Sequence, residues 1–209
     1  MEVHPEYAGY RGGAITQSSV VLTQYPLELP QDPRIKVSDL LYYEPRTRQN
    51  GFFTGDSVYS IAWLALGNAS AAASQWRAAF AHMDTDNFFV FRETLSGGHS
   101  NFITGAGGFL QNVLFGFAGV RFRRESLEII RAPQLPTGVT GFRLRGIRYK
   151  GRCITFAFNS KTITVSLCED LSTGVVVQSQ AVNHRLSPQA SSVTLTLAPL
   201  TVLVEQGEN

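Results

Sequence analysis

The periodicity of apolar residues changes once, near residue 120, and that change limits the fold more than any other feature of the chain. Before it, apolar side chains recur at steps of three and four, the pattern of helices that bury one face. After it, they alternate or run in short blocks between turn residues, the pattern of strands. A chain in that order is α+β, with helices first and an antiparallel sheet or sandwich after them. Two regions are expected, residues 1–119 and residues 120–209.

Within the first region, Val58, Ile61, Ala62, Ala65 and Leu66 place a helix over about Asp56 to Leu66, with Gly67-Asn68 as its stop. Ala72, Ala73, Trp76, Ala79, Phe80 and Met83 form the stripe of a second helix, over 70–83. Phe109, Leu110, Val113, Leu114, Phe115 and Phe117 make a third, over 107–117, apolar nearly all round and so expected to be deeply buried. Residues 1–53 carry prolines at 5, 26, 30, 33 and 45 and read as loop, with one short helical piece over 18–23. So much loop at the start of a domain suggests the tail of something larger. Asp84 to Ala106 reads as a long loop carrying Glu93 and His99, and long loops between packed helices are often functional. Beyond residue 120, runs such as "FRLRGIRY", "CITFAFN" and "TITVSLC" predict five to seven strands, separated by turn signals such as "STG" at 172–174.

With 44% hydrophobic and 16% charged residues in 209, the chain is globular. A net charge of +2 gives no footprint for nucleic acid. Basic residues do gather in "RFRRE" (121–125) and "FRLRGIRYKGR" (142–152), which reads either as a polyanion-binding patch or as the solvated faces of strands. The two cysteines, Cys153 and Cys168, lack zinc-site spacing. Free core thiols are expected, although a bond between adjacent strands is geometrically conceivable. Histidines 4, 82, 99 and 184 share no metal-ligand spacing, so neither metal nor cofactor is expected. No apolar run reaches the roughly 18 residues that span a bilayer. The N-terminus lacks the basic start and apolar stretch of a signal peptide. A cytoplasmic location without membrane contact follows as the expectation. Asn68-Ala69-Ser70 fits a glycosylation sequon whose use would require secretion.

"GAGGF" (105–109) precedes a helix, as a phosphate cradle would, but no strand leads into it and no lysine follows, so a tight turn or close helix packing is the plainer reading. No G-x-S-x-G elbow is present. Four carboxylates stand beside aromatics or glycines: Glu6 in "PEYAGY", Glu44 in "YYEPRT", Asp56 in "FTGDS" and Glu93 in "FRETLSGGHSNF". Aromatic rings stack on the apolar face of a pyranose, and carboxylates accept its hydroxyls or cleave its glycosidic bond. Each of the four also reads as a surface or capping carboxylate, and Asp56 in particular as a helix N-cap.

Taken in order, "HPEYAGY", "ITQSSVVLTQYPL", "DLLYYEPRT", "RETLSGGHSNFITGAGGFLQNVLFGFAGVRF" and a strand-rich tail resemble the C-terminal part of glycoside hydrolase family sixty-five, over about residues 1–170. The correspondence is strongest with the branch that removes glucose from the glucosyl-galactosyl-hydroxylysine of collagen. The resemblance implies the last helices of an (α/α)6 barrel followed by a β-sheet domain. It implies an inverting attack at the anomeric carbon of an α-glucoside, with a carbohydrate or glycopeptide as substrate. Glu93 matches the glutamate that serves the hydrolases as general base. Gln17 and His99 correspond to where the phosphorylases of the family place their phosphate and here would contact sugar hydroxyls or the water, and Tyr42 and Tyr43 would line the pocket wall. The general acid comes from an upstream barrel helix that no part of this chain matches, so an upstream barrel half is the expected partner of a C-terminal fragment.

Two departures separate the chain from the phosphorylases of that family. Thr16 stands where a lysine often precedes the glutamine, which removes a cation suited to phosphate. The serine-rich phosphate run is reduced to Thr54 to Ser57. Two other readings stay open: a disaccharide phosphorylase, and a non-enzymatic carbohydrate-binding or scaffolding module.

Overall fold

The structure, a computed structural model, describes residues 2–47, 55–81, 83–86, 88–94, 97–168 and 174–205. Thr54, His82, Ser172 and Thr173 of the expected turn, and the polar end from residue 206 lie outside the described residues. The chain divides into two compact units, one ending at Gly116 and the other starting at Phe117.

Among the described residues the first unit holds five α-helices: α1 (Ser19–Gln24), α2 (Pro33–Tyr43), α3 (Asp56–Ala65), α4 (Ala69–Phe80) and α5 (Ile103–Gln111). α3 buries seven of its ten residues, among them Ile61, Ala62 and Leu64. Its stop is built as the sequence predicts: the Asn68 amide donates to the Trp63 carbonyl at 2.9 Å and the Gly67 amide to Leu64 at 3.1 Å, closing the last turn on itself. The Asn68 side chain then caps α4, accepting from the Ala71 amide at 3.0 Å.

Three expectations for this unit are corrected. Residues 33–43 are not loop but α2; Asp32 caps it, accepting from the Arg34 amide at 2.8 Å, and Pro33 occupies its first turn, where its missing N–H costs nothing. The second helix stops at Phe80, and Met83 belongs instead to a strand. The stretch 84–106 is not an extended loop. β1 (Met83–Asp84), β2 (Val90–Thr94) and β3 (Gly97–Ser100) form a small antiparallel sheet in that order, and α5 already starts at Ile103.

α5 is less buried than its composition suggests: Leu110 is 66% exposed. It runs on into a wider π-helical turn, Asn112–Phe117. That turn surrounds a fully buried amide, Asn112, whose Oδ1 accepts from the Ser60 hydroxyl at 3.2 Å. The Ser60 hydroxyl also reaches the Ala72 carbonyl at 3.1 Å, so three helices meet at two polar side chains.

The second unit is all antiparallel. A five-stranded sheet has the order β10-β9-β12-β5-β4, built from β4 (Val120–Phe122), β5 (Leu127–Ile129), β9 (Val175–Ser179), β10 (Val182–Leu186) and β12 (Leu200–Val204). A four-stranded sheet has the order β11-β8-β7-β6, built from β6 (Gly141–Tyr149), β7 (Arg152–Asn159), β8 (Thr162–Leu167) and β11 (Ser192–Thr196). Among the described residues nine strands therefore replace the expected five to seven. Part of the surplus is β4, three residues long and too brief to show a period. Each sheet buries one face, through Val120, Leu127, Ile129, Val175, Val177 and Val202 in the first and Ile154, Phe156, Ile163 and Val165 in the second. Cys153 and Cys168 are not free: they form a disulfide between β7 and the end of β8, where the Cys168 amide donates to the Cys153 carbonyl at 3.0 Å. Adjacent strands bring the two Cα atoms to 5.3 Å, within ordinary disulfide reach.

The helix junction makes a specific demand on Gly116. A Cβ there would lie 2.5 Å from Asn112 Oδ1 and 3.2 Å from both Ile61 and Leu64. Gly116→Ala is expected to destabilise the protein by about 1–3 kcal/mol through overpacking, read as a lowered melting temperature. An unchanged midpoint would show that the junction is loose.

Candidate functional site

β2 and β3 present Glu93. The residue lies on β2, half-buried, and its Oε2 accepts a hydrogen bond from the backbone N–H of His99 on β3 at 3.1 Å. The backbone of β3 comes close to this carboxylate at Gly98. A Cβ on Gly98 would fall 2.7 Å from Glu93 Oε2, and Gly98 has φ +79°, so only glycine fits beside the carboxylate without strain. Among the described residues, Oε1 takes no partner. Arg92 does not turn toward Glu93: its guanidinium pairs with Asp84 on β1. Strand alternation accounts for this, since adjacent residues project to opposite sides. His99 is exposed, and its hold on Glu93 runs through the main chain.

Gln17 sits elsewhere. It is exposed, directly before the Ser18 cap of α1, and lines a cleft of about 270 Å³ together with Tyr25, Gly55, Ser57, Thr104 and Gln111. Tyr25 braces that cleft by donating to Gln111 Oε1 at 2.6 Å. Neither Glu93 nor His99 lines it. Tyr42 is partly exposed with the Arg46 guanidinium 3.6 Å above its ring, a cation–π contact. Tyr43 is fully buried, stacks on Tyr10 and donates its hydroxyl to the His4 carbonyl. Burial, with the charge of Glu6 next in weight, pushes its phenol up to about 12. It supports the aromatic cluster from below.

The remaining carboxylates of the sequence census have structural partners. Glu6 gathers the start of α1, accepting from the Ser18 hydroxyl at 2.9 Å and from the Ser19 and Val20 amides. Glu44 accepts from Trp63 Nε1 at 3.2 Å and Gln75 Nε2 at 2.6 Å, pinning the end of α2 to α3 and α4. Asp39, fully buried, takes the His4 amide at 2.9 Å and its Nδ1 at 2.8 Å. That pair was not foreseen, because thirty-five residues separate its members. Among the described residues no cluster of three His, Cys, Asp or Glu side chains is placed to hold a metal ion, and no helix is long and apolar enough to cross a membrane.

Asp56 is not an N-cap. Gly55 holds the cap position and Asp56 is the first residue of α3. Burial, and then the nearby charge of Glu44, push its carboxyl up from 3.8 to about 6. A folded-state value above the unfolded one means that Asp56 favours the folded protein below about pH 4, and that this support is lost as pH rises through about 6. Asp56→Asn is therefore expected to raise the melting temperature relative to the parent at pH 7 and to leave it nearly unchanged at pH 4. An equal shift at both values, followed by thermal denaturation, would contradict the assignment.

No protein-family model matches the chain. It is 38% identical over 164 residues to the protein-glucosylgalactosylhydroxylysine glucosidase of Dictyostelium discoideum, an alignment covering 78% of this chain and 23% of that protein. It is 36% identical over 169 residues to the protein of the same name from Danio rerio, covering 80% and 25%. In structure it is similar to a putative kojibiose phosphorylase from the human microbiome, with a TM-score of 0.66 at 16% identity, covering 94% of this chain and 26% of that one; this likeness concerns the fold. The chain spans about a quarter of the length of the curated relatives it matches. It is a homologue of that quarter of the protein-glucosylgalactosylhydroxylysine glucosidases, the carbohydrate-cleaving group to which its sequence motifs point.

Proposed function

We propose that the chain supplies the general-base side of an inverting α-glucoside hydrolase, acting on the glucosyl-galactosyl-hydroxylysine disaccharide of collagen. The observation that carries this reading is the Glu93 carboxylate, held at one oxygen by the His99 amide, with no partner for the other oxygen among the described residues. A carboxylate fixed in that way can accept a proton from water and aim the resulting nucleophile at an anomeric carbon. In an inverting enzyme the general acid stands about 6.5–9.5 Å away, across the water and the sugar. That acid belongs to an upstream helical portion, with which residues 1–119 would complete an (α/α)6 barrel and residues 120–209 would form its sheet domain.

His99, beside the base, would contact sugar hydroxyls or the water; Gln17 would contact sugar hydroxyls from its own cleft, and Tyr42 would offer a ring to the sugar, with Tyr43 packed behind it. Thr16 in place of a cation favours water over phosphate as the nucleophile. The chemistry as proposed uses no cofactor. The cytoplasmic location expected from the sequence sits poorly with the Cys153–Cys168 disulfide, which belongs with oxidising compartments.

Joined to its upstream portion, a Glu93→Gln protein is expected to lose about 10²–10⁴ in turnover. Its melting temperature should stay close to that of the parent, because the amide keeps the shape and one acceptor oxygen. Turnover near the parent's would remove Glu93 from the chemistry. Acceleration by added phosphate would favour the phosphorylase reading instead.

A further inference from the structure

Charge is divided unevenly along the chain. Eleven of the 18 Lys and Arg lie after Gly116, against six of the 16 Asp and Glu. Several of these pair locally: Arg123 with Glu128 at 3.1 Å, Arg124 and Lys150 with Glu125 at 3.3 and 2.8 Å, and Arg185 with Glu205. Arg143 and Arg145 do not. No acidic side chain among the described residues pairs with either, and both are exposed.

The ladder of β6 and β7 fixes where these two arginines project. Phe142, Leu144 and Ile147 stand opposite Phe158, Phe156 and Ile154, all three of which are buried. Arg143 and Arg148, opposite Ala157 and Cys153, therefore face the other side. A bulge between Leu144 and Ile147 keeps Arg145 on that outer side as well. β6 is an edge strand, so the arginines form a row along the margin of the four-stranded sheet. Arg143 and Arg145, two residues apart, are about 7 Å apart along the strand.

The same outer face continues across β8 and β11 as hydroxyls. Ser192 pairs with Ser166, Thr194 with Thr164 and Thr196 with Thr162, while Ile163 and Val165 point inward. Thr164 and Thr194 are hydrogen-bonded to each other at 2.9 Å. The four strands contain no Asp or Glu; of their four aromatic residues Tyr149, Phe156 and Phe158 are buried, and Phe142 stands opposite Phe158 on the inner side.

We propose that this face binds an acidic polysaccharide, a sugar chain bearing sulfate or carboxylate groups, with Arg143 and Arg145 taking its anions and the Ser/Thr rows its hydroxyls. Guanidinium forks match sulfate and carboxylate oxygens in pairs, and serine and threonine both donate to and accept from sugar hydroxyls. Single-stranded nucleic acid is disfavoured because no ring on the face offers a base a stacking surface. A protein partner is disfavoured because no exposed aromatic or aliphatic anchor stands at its centre.

Heparin immobilised on a column and heparin titrated in solution test the proposal on the intact chain. The parent should bind, and Arg143→Ser/Arg145→Ser should elute at lower salt with affinity reduced by roughly tenfold or more. Its circular dichroism should be unchanged. Arg34→Ser/Arg77→Ser, which removes the same charge from the first unit, should bind as the parent does. Equal losses in the two double variants would mean attraction by net charge alone and would overturn the assignment. So would absence of heparin binding, which would leave the arginines as guards of an edge strand. Single-stranded DNA or polyaspartate binding as tightly as heparin, with the same sensitivity to Arg143 and Arg145, would overturn the polysaccharide class.

Discussion

The buried contact between Ser60 and Asn112 governs the helical unit. One hydroxyl proton is shared between the Ala72 carbonyl and Asn112 Oδ1, so α3, α4 and the turn that follows α5 meet at a single polar point. Neither side chain reaches solvent, and an unpaired polar group there would cost about 1–3 kcal/mol. Gly116 lets the chain pass close to that point. α5, which leads into that turn, starts at Ile103 just after β3 ends at Ser100, and β3 carries the amide that holds Glu93.

Much of this was legible in the residues. α3 shows a full apolar stripe and a Gly-Asn stop, and both the helix and its C-terminal closure form where that pattern puts them. The change of period near residue 120 is equally visible, because long strands such as β7 bury alternate residues. α2 was hidden because its apolar residues form no one-sided stripe, and because Pro33, read as loop punctuation, acts as a helix start. The β2–β3 hairpin was hidden for another reason. Gly97, Gly98 and Ser100 carry no strand preference, and the strand exists only through its pairing with β2.

The carboxylates show the limit of reading a site from composition. Glu6, Glu44, Asp56 and Glu93 look alike in sequence, each beside aromatics or glycines. Their partners separate them. Glu6 is consumed by the start of α1, Glu44 by Trp63 and Gln75, and Asp56 is held in the first turn of α3 with a raised proton affinity. Glu93 lies on β2 with one oxygen held by β3 and no partner for the other among the described residues. Long-range partners decide these roles, and sequence spacing does not record them. The disulfide follows the same logic, since only strand register brings Cys153 beside Cys168.

The central claim is that Glu93 activates the attacking water. Replacing it with alanine, in the chain joined to its upstream portion, removes the base and opens room for a small anion. Azide needs no base, so it should restore cleavage of an α-glucoside and yield glucosyl azide of inverted, β configuration, which proton NMR distinguishes from the α form. Absence of rescue in a folded Glu93→Ala protein, or an α-configured product, would contradict the account.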